Sequence, residues 1–171
     1  MGSWVKRSSC ALVIACACGG GTKSAPPGVS MAEQAGDAPV WEFDSLDARP
    51  VSSAAFAGKA VVLVFVTTYD PICQQQVNYD LSLAQEFPDV IFALVALQDA
   101  SARELVEMYR DTLKVKFPVA MGDPATIAGG GTLGDVHKIP TTVVIGRDGK
   151  IRWRHEGGVM PAEMRDRLKK L

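Results

Sequence analysis

The stretch AVVLVFV, Ala60 to Val66, is apolar at every position and mostly β-branched. A half-exposed strand alternates apolar and polar residues, and an amphipathic helix repeats them every three to four. This run does neither. Preceded by a Gly58-Lys59 turn, it predicts a short strand covered on both faces, and so a sheet with helices packed against it. VIFALVAL, Val90 to Leu97, is a second run of the same kind. Between the two, Cys73, Val77, Leu81 and Ala84 recur at helical spacing and share one face of a predicted helix.

The rest of the chain extends this strand–helix–strand nucleus. VWEF, from Val40, alternates and predicts an edge strand, with the folded domain spanning 40–171. Ser101 and Glu104 form an S-x-x-E capping box, opening a helix with Leu105 and Tyr109 turned inward. FPVAMGD, from Phe117, predicts a short strand or extended loop. ATIAGGGTLGDV is weakly helical at best, because Gly129 to Gly131 oppose it. TTVVIG and KIRWRHEG are strands joined at Asp148-Gly149, a tight hairpin turn. Pro161 starts a last helix with Met164, Leu168 and Leu171 on one face. The order β, β, α, β, α, β, β, α describes one α/β domain of thioredoxin-like topology, a central mixed sheet flanked by helices.

The first residues are not part of this domain. Lys6 and Arg7 precede ALVIA, an apolar stretch much too short to span a bilayer. VIAC, Val13 to Cys16, resembles a bacterial lipobox, so residues 1–15 are expected to be a lipoprotein signal peptide and Cys16 the lipidated residue. Cys18 is the second candidate. An ordinary cleaved secretory signal is the alternative. Residues 16–39, rich in Gly, Ala, Ser and Pro, are a flexible tether. The expected location is the cell envelope, with the domain in the periplasm or extracytoplasmic space. The net charge of −1 and the lack of a long basic run give nucleic-acid binding no electrostatic support.

Of the four cysteines, only Cys73 lies outside the leader and tether. It sits in TTYDPICQQQ, directly after the first apolar strand. GKAVVLVFVTTYDPICQQQV resembles the active-site stretch of the TlpA-type membrane-anchored thioredoxin-like proteins, or redoxins. There a Gly-Lys and an apolar strand lead to Trp-Cys-x-x-Cys. VHKIPTTVVIGRDGKI resembles their second signature, Val-x-Gly-x-Pro-Thr-Thr, a strand, and a turn with Asp and Gly. The resemblance covers Trp41 to Leu171. It implies that Pro140 is a cis-proline facing the motif loop, and that Tyr69, Ile139, Pro140 and Thr141 frame a groove for an extended peptide or a protein thiol.

Against that pattern, Asp70 stands at the first, nucleophilic cysteine and Cys73 at the second. Tyr69 replaces a tryptophan, Val64 a buried acid of the thioredoxins, and Lys138 a frequent glycine. A dithiol cycle on this domain alone is excluded. Several readings stay open for Cys73, with Asp70 as its charged neighbour. One is single-cysteine thiol exchange or an antioxidant role. Another is a small apolar core residue beneath the loop, in a non-catalytic peptide- or partner-binding module. Peroxiredoxins place their reactive cysteine at this position, but Val66 and Asp70 stand where their motif has proline and threonine. The Asp70 charge disfavours a thiolate, while its side chain suits a helix N-cap. Asp70, Cys73 and His137 are too few soft ligands for a copper site of the superfamily's kind, and no metal or cofactor is expected. His155 is expected as a packed or edge residue beside Trp153, and Gly129 to Gly131 as a connection, not a phosphate loop.

Overall fold

The computed structural model describes residues 38–171. The expected signal peptide, Cys16, Cys18 and nearly all of the tether lie outside the described residues. Among the described residues, no helix is long and apolar enough to cross a membrane.

The elements are β1 (Glu42–Ser45), β2 (Val51–Ser52), β3 (Ala60–Val66), α1 (Pro71–Glu86), β4 (Val90–Ala96), α2 (Arg103–Thr112), β5 (Val119–Met121), α3 (Pro124–Ile127), β6 (Thr141–Ile145), β7 (Ile151–Glu156) and α4 (Pro161–Leu168). They build a seven-stranded sheet in the order β2-β1-β5-β4-β3-β6-β7. Strand β3 lies inside the sheet, parallel to β4 and antiparallel to β6. All seven of its residues are buried, as the unbroken apolar run predicts.

The pleat divides those side chains between two cores. Val62, Val64 and Val66 join Cys73, Val77 and Leu83 of α1 and Met164 and Leu168 of α4. Val61, Leu63 and Phe65 face Trp41, Phe43 and Phe56 on the other side. The Phe43 ring meets Phe65 edge-on at 5.9 Å, and Trp41 lies 5.9 Å from Phe56. The N-terminal hairpin thus covers the face that the helices leave open. The β6–β7 hairpin turns at Gly149, whose φ of 78° a side chain would resist.

Two expectations need correction. The VWEF strand is not an edge: β1 pairs with β2 on one side and with β5 on the other. The edge is β2, whose two residues are too few to show any periodicity. The Ser101/Glu104 box does not cap α2. A single 3-10 turn, Ala100–Ala102, takes up Ser101, and α2 begins at Arg103 with no side-chain cap. The helix is rotated accordingly. Val106 and Tyr109 are buried, while Leu105 remains 46% exposed.

Candidate functional site

Strand β3 ends at Val66 and the chain crosses to α1 through Thr67, Thr68, Tyr69 and Asp70. The crossing is pinned to the end of β4. The Leu97 N–H donates to the Val66 carbonyl at 2.8 Å and the Thr68 N–H to Gln98 Oε1 at 3.0 Å. Asp70 is the N-cap of α1, in an extended conformation, and its Oδ1 accepts the Cys73 N–H at 2.9 Å. Pro71 follows in the first turn, where its missing N–H costs nothing. Polar N-cap and proline together fix where the helix starts and turn Cys73 into the core.

Strand β6 approaches from the opposite direction. Phe65 lies beside Thr141 in the sheet register, so the segment before Thr141 emerges at the same end as the Thr67–Asp70 loop. The Ile139–Pro140 peptide bond is cis. Pro140 is buried, its carbonyl accepts the Gly157 N–H at 2.7 Å, and the Thr141 hydroxyl donates to the Lys138 carbonyl. Neither the N–H nor the C=O of Ile139 has a backbone partner among the described residues. Tyr69, Ile72 and Met160 are 75%, 52% and 63% exposed. They sit on the loop, on the first turn of α1 and at the start of α4, so this end of the sheet carries apolar surface beside an unpaired backbone edge.

Cys73 is 0% exposed and is the free cysteine of the described domain. Burial pushes its thiol up to about 11. The Thr67 backbone opposes this by favouring the thiolate, and the nearby Asp70 charge adds to the upward shift. Tyr109, from α2, is raised by burial and then by the charges of Cys73 and Asp70. Its hydroxyl has no hydrogen-bond partner among the described residues. Sequence reading assigned Tyr109 to the core and left its link to the thiol unseen, because α2 is remote from α1 in sequence.

Helix α1 also holds a buried acid, Asp80, that no sequence motif singles out. Asp80 is 0% exposed, and burial raises its carboxyl to about 7. Its Oδ1 accepts from Gln76 Nε2 at 3.0 Å, while Oδ2 has no partner among the described residues. Gln76 Oε1 in turn accepts the Val159 N–H at 2.7 Å, tying α1 to the segment between β7 and α4. Asp80 follows Cys73 by two helical turns, on the buried side, and that spacing is the signal that would have found it.

The structure does not gather Asp70, Cys73 and His137. Among the described residues, no three His, Cys, Asp or Glu side chains are grouped to hold a metal ion. His137 is largely exposed and faces Asp135 at 3.8 Å. His155 stacks on Trp153 with ring centroids 5.4 Å apart.

Comparison with known proteins agrees with this architecture. Thiol-disulfide oxidoreductase ResA of Bacillus thuringiensis subsp. konkukian is 27% identical over 139 residues, 79% of this chain and 76% of the relative. A thiol:disulfide interchange protein of the thioredoxin family from Chlorobium tepidum superposes with a TM-score of 0.68. It is 25% identical, over 78% of this chain and 94% of that one. A DsbF homologue from Corynebacterium diphtheriae gives a TM-score of 0.72 over 89% of this chain and all of its own, at 16% identity, a likeness of fold alone. A secreted disulfide oxidoreductase of Mycobacterium tuberculosis, homologous to DsbE, shares the fold at a TM-score of 0.63 and 20% identity, over 77% of this chain and 96% of that one. The profile of the Redoxin family matches residues 34–170, well over half of the chain, and the chain therefore belongs to the Redoxin family, on a thioredoxin-like fold.

Proposed function

We propose that this redoxin holds an extended polypeptide segment along the Ile139–Pro140 edge and does not turn over disulfides through Cys73. The observation that carries this is the state of the thiol. An attacking cysteine must be ionised and must reach a second sulfur. Cys73 has no exposed surface, and burial pushes its thiol up to about 11, away from the ionised form. Peptide capture asks for neither condition. An added strand needs unpaired backbone groups, which Ile139 supplies, and side-chain contacts, which Tyr69, Ile72 and Met160 offer.

Single-cysteine thiol exchange is the second reading. The Thr67 backbone, which favours the thiolate, and the thiol-disulfide oxidoreductases among the relatives support it. It requires the first turn of α1 to open. On either reading we place the domain outside the cytoplasm, held at the membrane by a lipid on Cys16, or on Cys18. The lipobox and the secreted structural neighbour support this placement.

The test uses a fluorescent, cysteine-free, ten-residue apolar peptide as probe and the full chain as binder. Tyr69→Asp and Ile139→Lys should each weaken binding at least fivefold, with Cys73→Ala unchanged. Alkylation of Cys73 should proceed only on unfolding. Native alkylation at the rate of a free thiol, together with loss of capture in Cys73→Ala, would transfer the function to the thiol.

A further inference from the structure

The opposite pole of the domain carries a different chemistry. A groove of about 460 Å³ opens beside the β6–β7 turn, lined by Arg147, Arg152, Trp153, Arg167, Lys170 and Leu171, with Asp148 as its acid. Asp148 is paired to Arg152 at 2.7 Å. The Arg167 guanidinium lies over the Trp153 ring, 5.2 Å from its centroid, and sits 3.9 Å from Glu163. Arg147 and Lys170 are exposed and make no ion pair with any described residue. Arg147 and Lys170 thus add two exposed cations beside the Arg152–Asp148 and Arg167–Glu163 pairs, in a chain whose net charge is −1.

Two further features lie at this pole. An apolar cleft of about 280 Å³, lined by Trp41, Phe56, Val61 and Ile145, adjoins the groove and shares Arg147 and Asp148 with it. The described chain also enters the domain here. Ala38 lines the cleft, and its Cβ lies 2.9 Å from where a side chain on Gly149 would begin. The tether therefore reaches the domain beside the basic groove, at the end of the sheet remote from Cys73 and Pro140.

We infer that this pole docks on an anionic phospholipid surface, with headgroup phosphates against Arg147, Arg152, Arg167 and Lys170 and the apolar cleft receiving part of an acyl chain. The inference rests on the reading that the chain is membrane-tethered. It adds that the domain is oriented there, with the Ile139–Pro140 edge facing away from the lipid. Several cations near an anionic bilayer attract it additively and lose that attraction in salt. A tether arriving at the same pole keeps those cations within reach of the membrane.

The experiment uses the full chain carrying Cys16→Ser and Cys18→Ser, so that no lipid is attached. It measures co-sedimentation with vesicles of phosphatidylcholine containing 30% phosphatidylglycerol, or none. Binding should require phosphatidylglycerol and vanish at high salt. The double substitution Arg147→Gln/Lys170→Gln should weaken it by about tenfold or more, while circular dichroism stays unchanged. Equal binding by the groove variant, or binding without phosphatidylglycerol, would overturn the docking surface. So would tight binding of inorganic phosphate or of polyglutamate with no vesicle binding. The tether is read separately, as incorporation of labelled palmitate into the chain with Cys16 and Cys18 intact, so that a failure of anchoring and a failure of docking are distinct results.

Discussion

Asp80 is a carboxyl built into a place where its charge is unwelcome, and replacing it with asparagine should stabilise the domain at neutral pH. The residue is fully buried, its one hydrogen bond among the described residues comes from Gln76, and burial lifts it from 3.8 to about 7. The folded state therefore holds its proton more tightly than the unfolded chain does. Stability from this group is fully present below the unfolded value and is lost as pH rises toward the folded one. At about 1.4 kcal/mol for each tenfold step, the loss is complete above pH 7 and is on the order of 4 kcal/mol. Between pH 5 and pH 8 it amounts to about 2–3 kcal/mol. Asp80→Asn keeps the acceptor for Gln76 and removes the titration. It leaves a buried amide NH2 group without a partner, at a cost of about 1–3 kcal/mol at every pH.

The assay is urea unfolding of both proteins at pH 5 and pH 8. The wild-type chain should lose about 2–3 kcal/mol more than the variant across that interval. At pH 8 the variant should equal or exceed the wild type. All other titrating groups are common to both proteins and cancel in the difference. Identical pH dependence would show that Asp80 stays solvated or finds a partner for Oδ2, and the reasoning from burial would fail.

Asp70→Cys places a second thiol at the N-cap of α1, where the first helical amides favour a thiolate, and removes the neighbouring negative charge. Insulin-reductase activity should rise at least tenfold above wild type; a folded but inactive protein would mean that other changes, such as Val64 for the buried acid, also block exchange. Gly131 has φ of 130°, and a Cβ there would meet Thr126 Oγ1 at 2.6 Å, so Gly131→Ala should cost about 1–3 kcal/mol in urea unfolding. An unchanged midpoint would show that the loop after α3 relaxes freely.

The central strands were legible because burial on both faces leaves a sequence no polar residue to place. That constraint acts residue by residue, so Ala60–Val66 and Val90–Ala96 carry their own signal. β2 carries none, since two residues define no period. The α2 start was misread because a capping box records only local compatibility. The 3-10 turn at Ala100–Ala102 uses the same residues without contradiction. At the site, Asp70, Cys73 and Pro140 could be placed from residue identity within short motifs. The unpartnered hydroxyl of Tyr109 and the Gln76–Val159 link depend on segments distant in sequence, which no local pattern encodes.

An aspartate at position 70 and the proposed binding edge at Ile139–Pro140 are compatible because different interactions maintain them. Asp70 replaces a thiol with a helix cap, so α1 still begins where it must and Cys73 still faces the core. The Pro140 segment is held instead by the Gly157 N–H and by the Thr141 hydroxyl on the Lys138 carbonyl, neither of which involves the motif. Thiol chemistry depends on the ionisation of one sulfur, which burial and one nearby carboxylate disfavour. An unpaired strand edge depends on backbone geometry, which those substitutions leave untouched. The two properties can therefore be lost separately. A variant that disturbs Gly157 or Lys138 should damage capture without altering Cys73, and a variant at Asp70 should do the reverse.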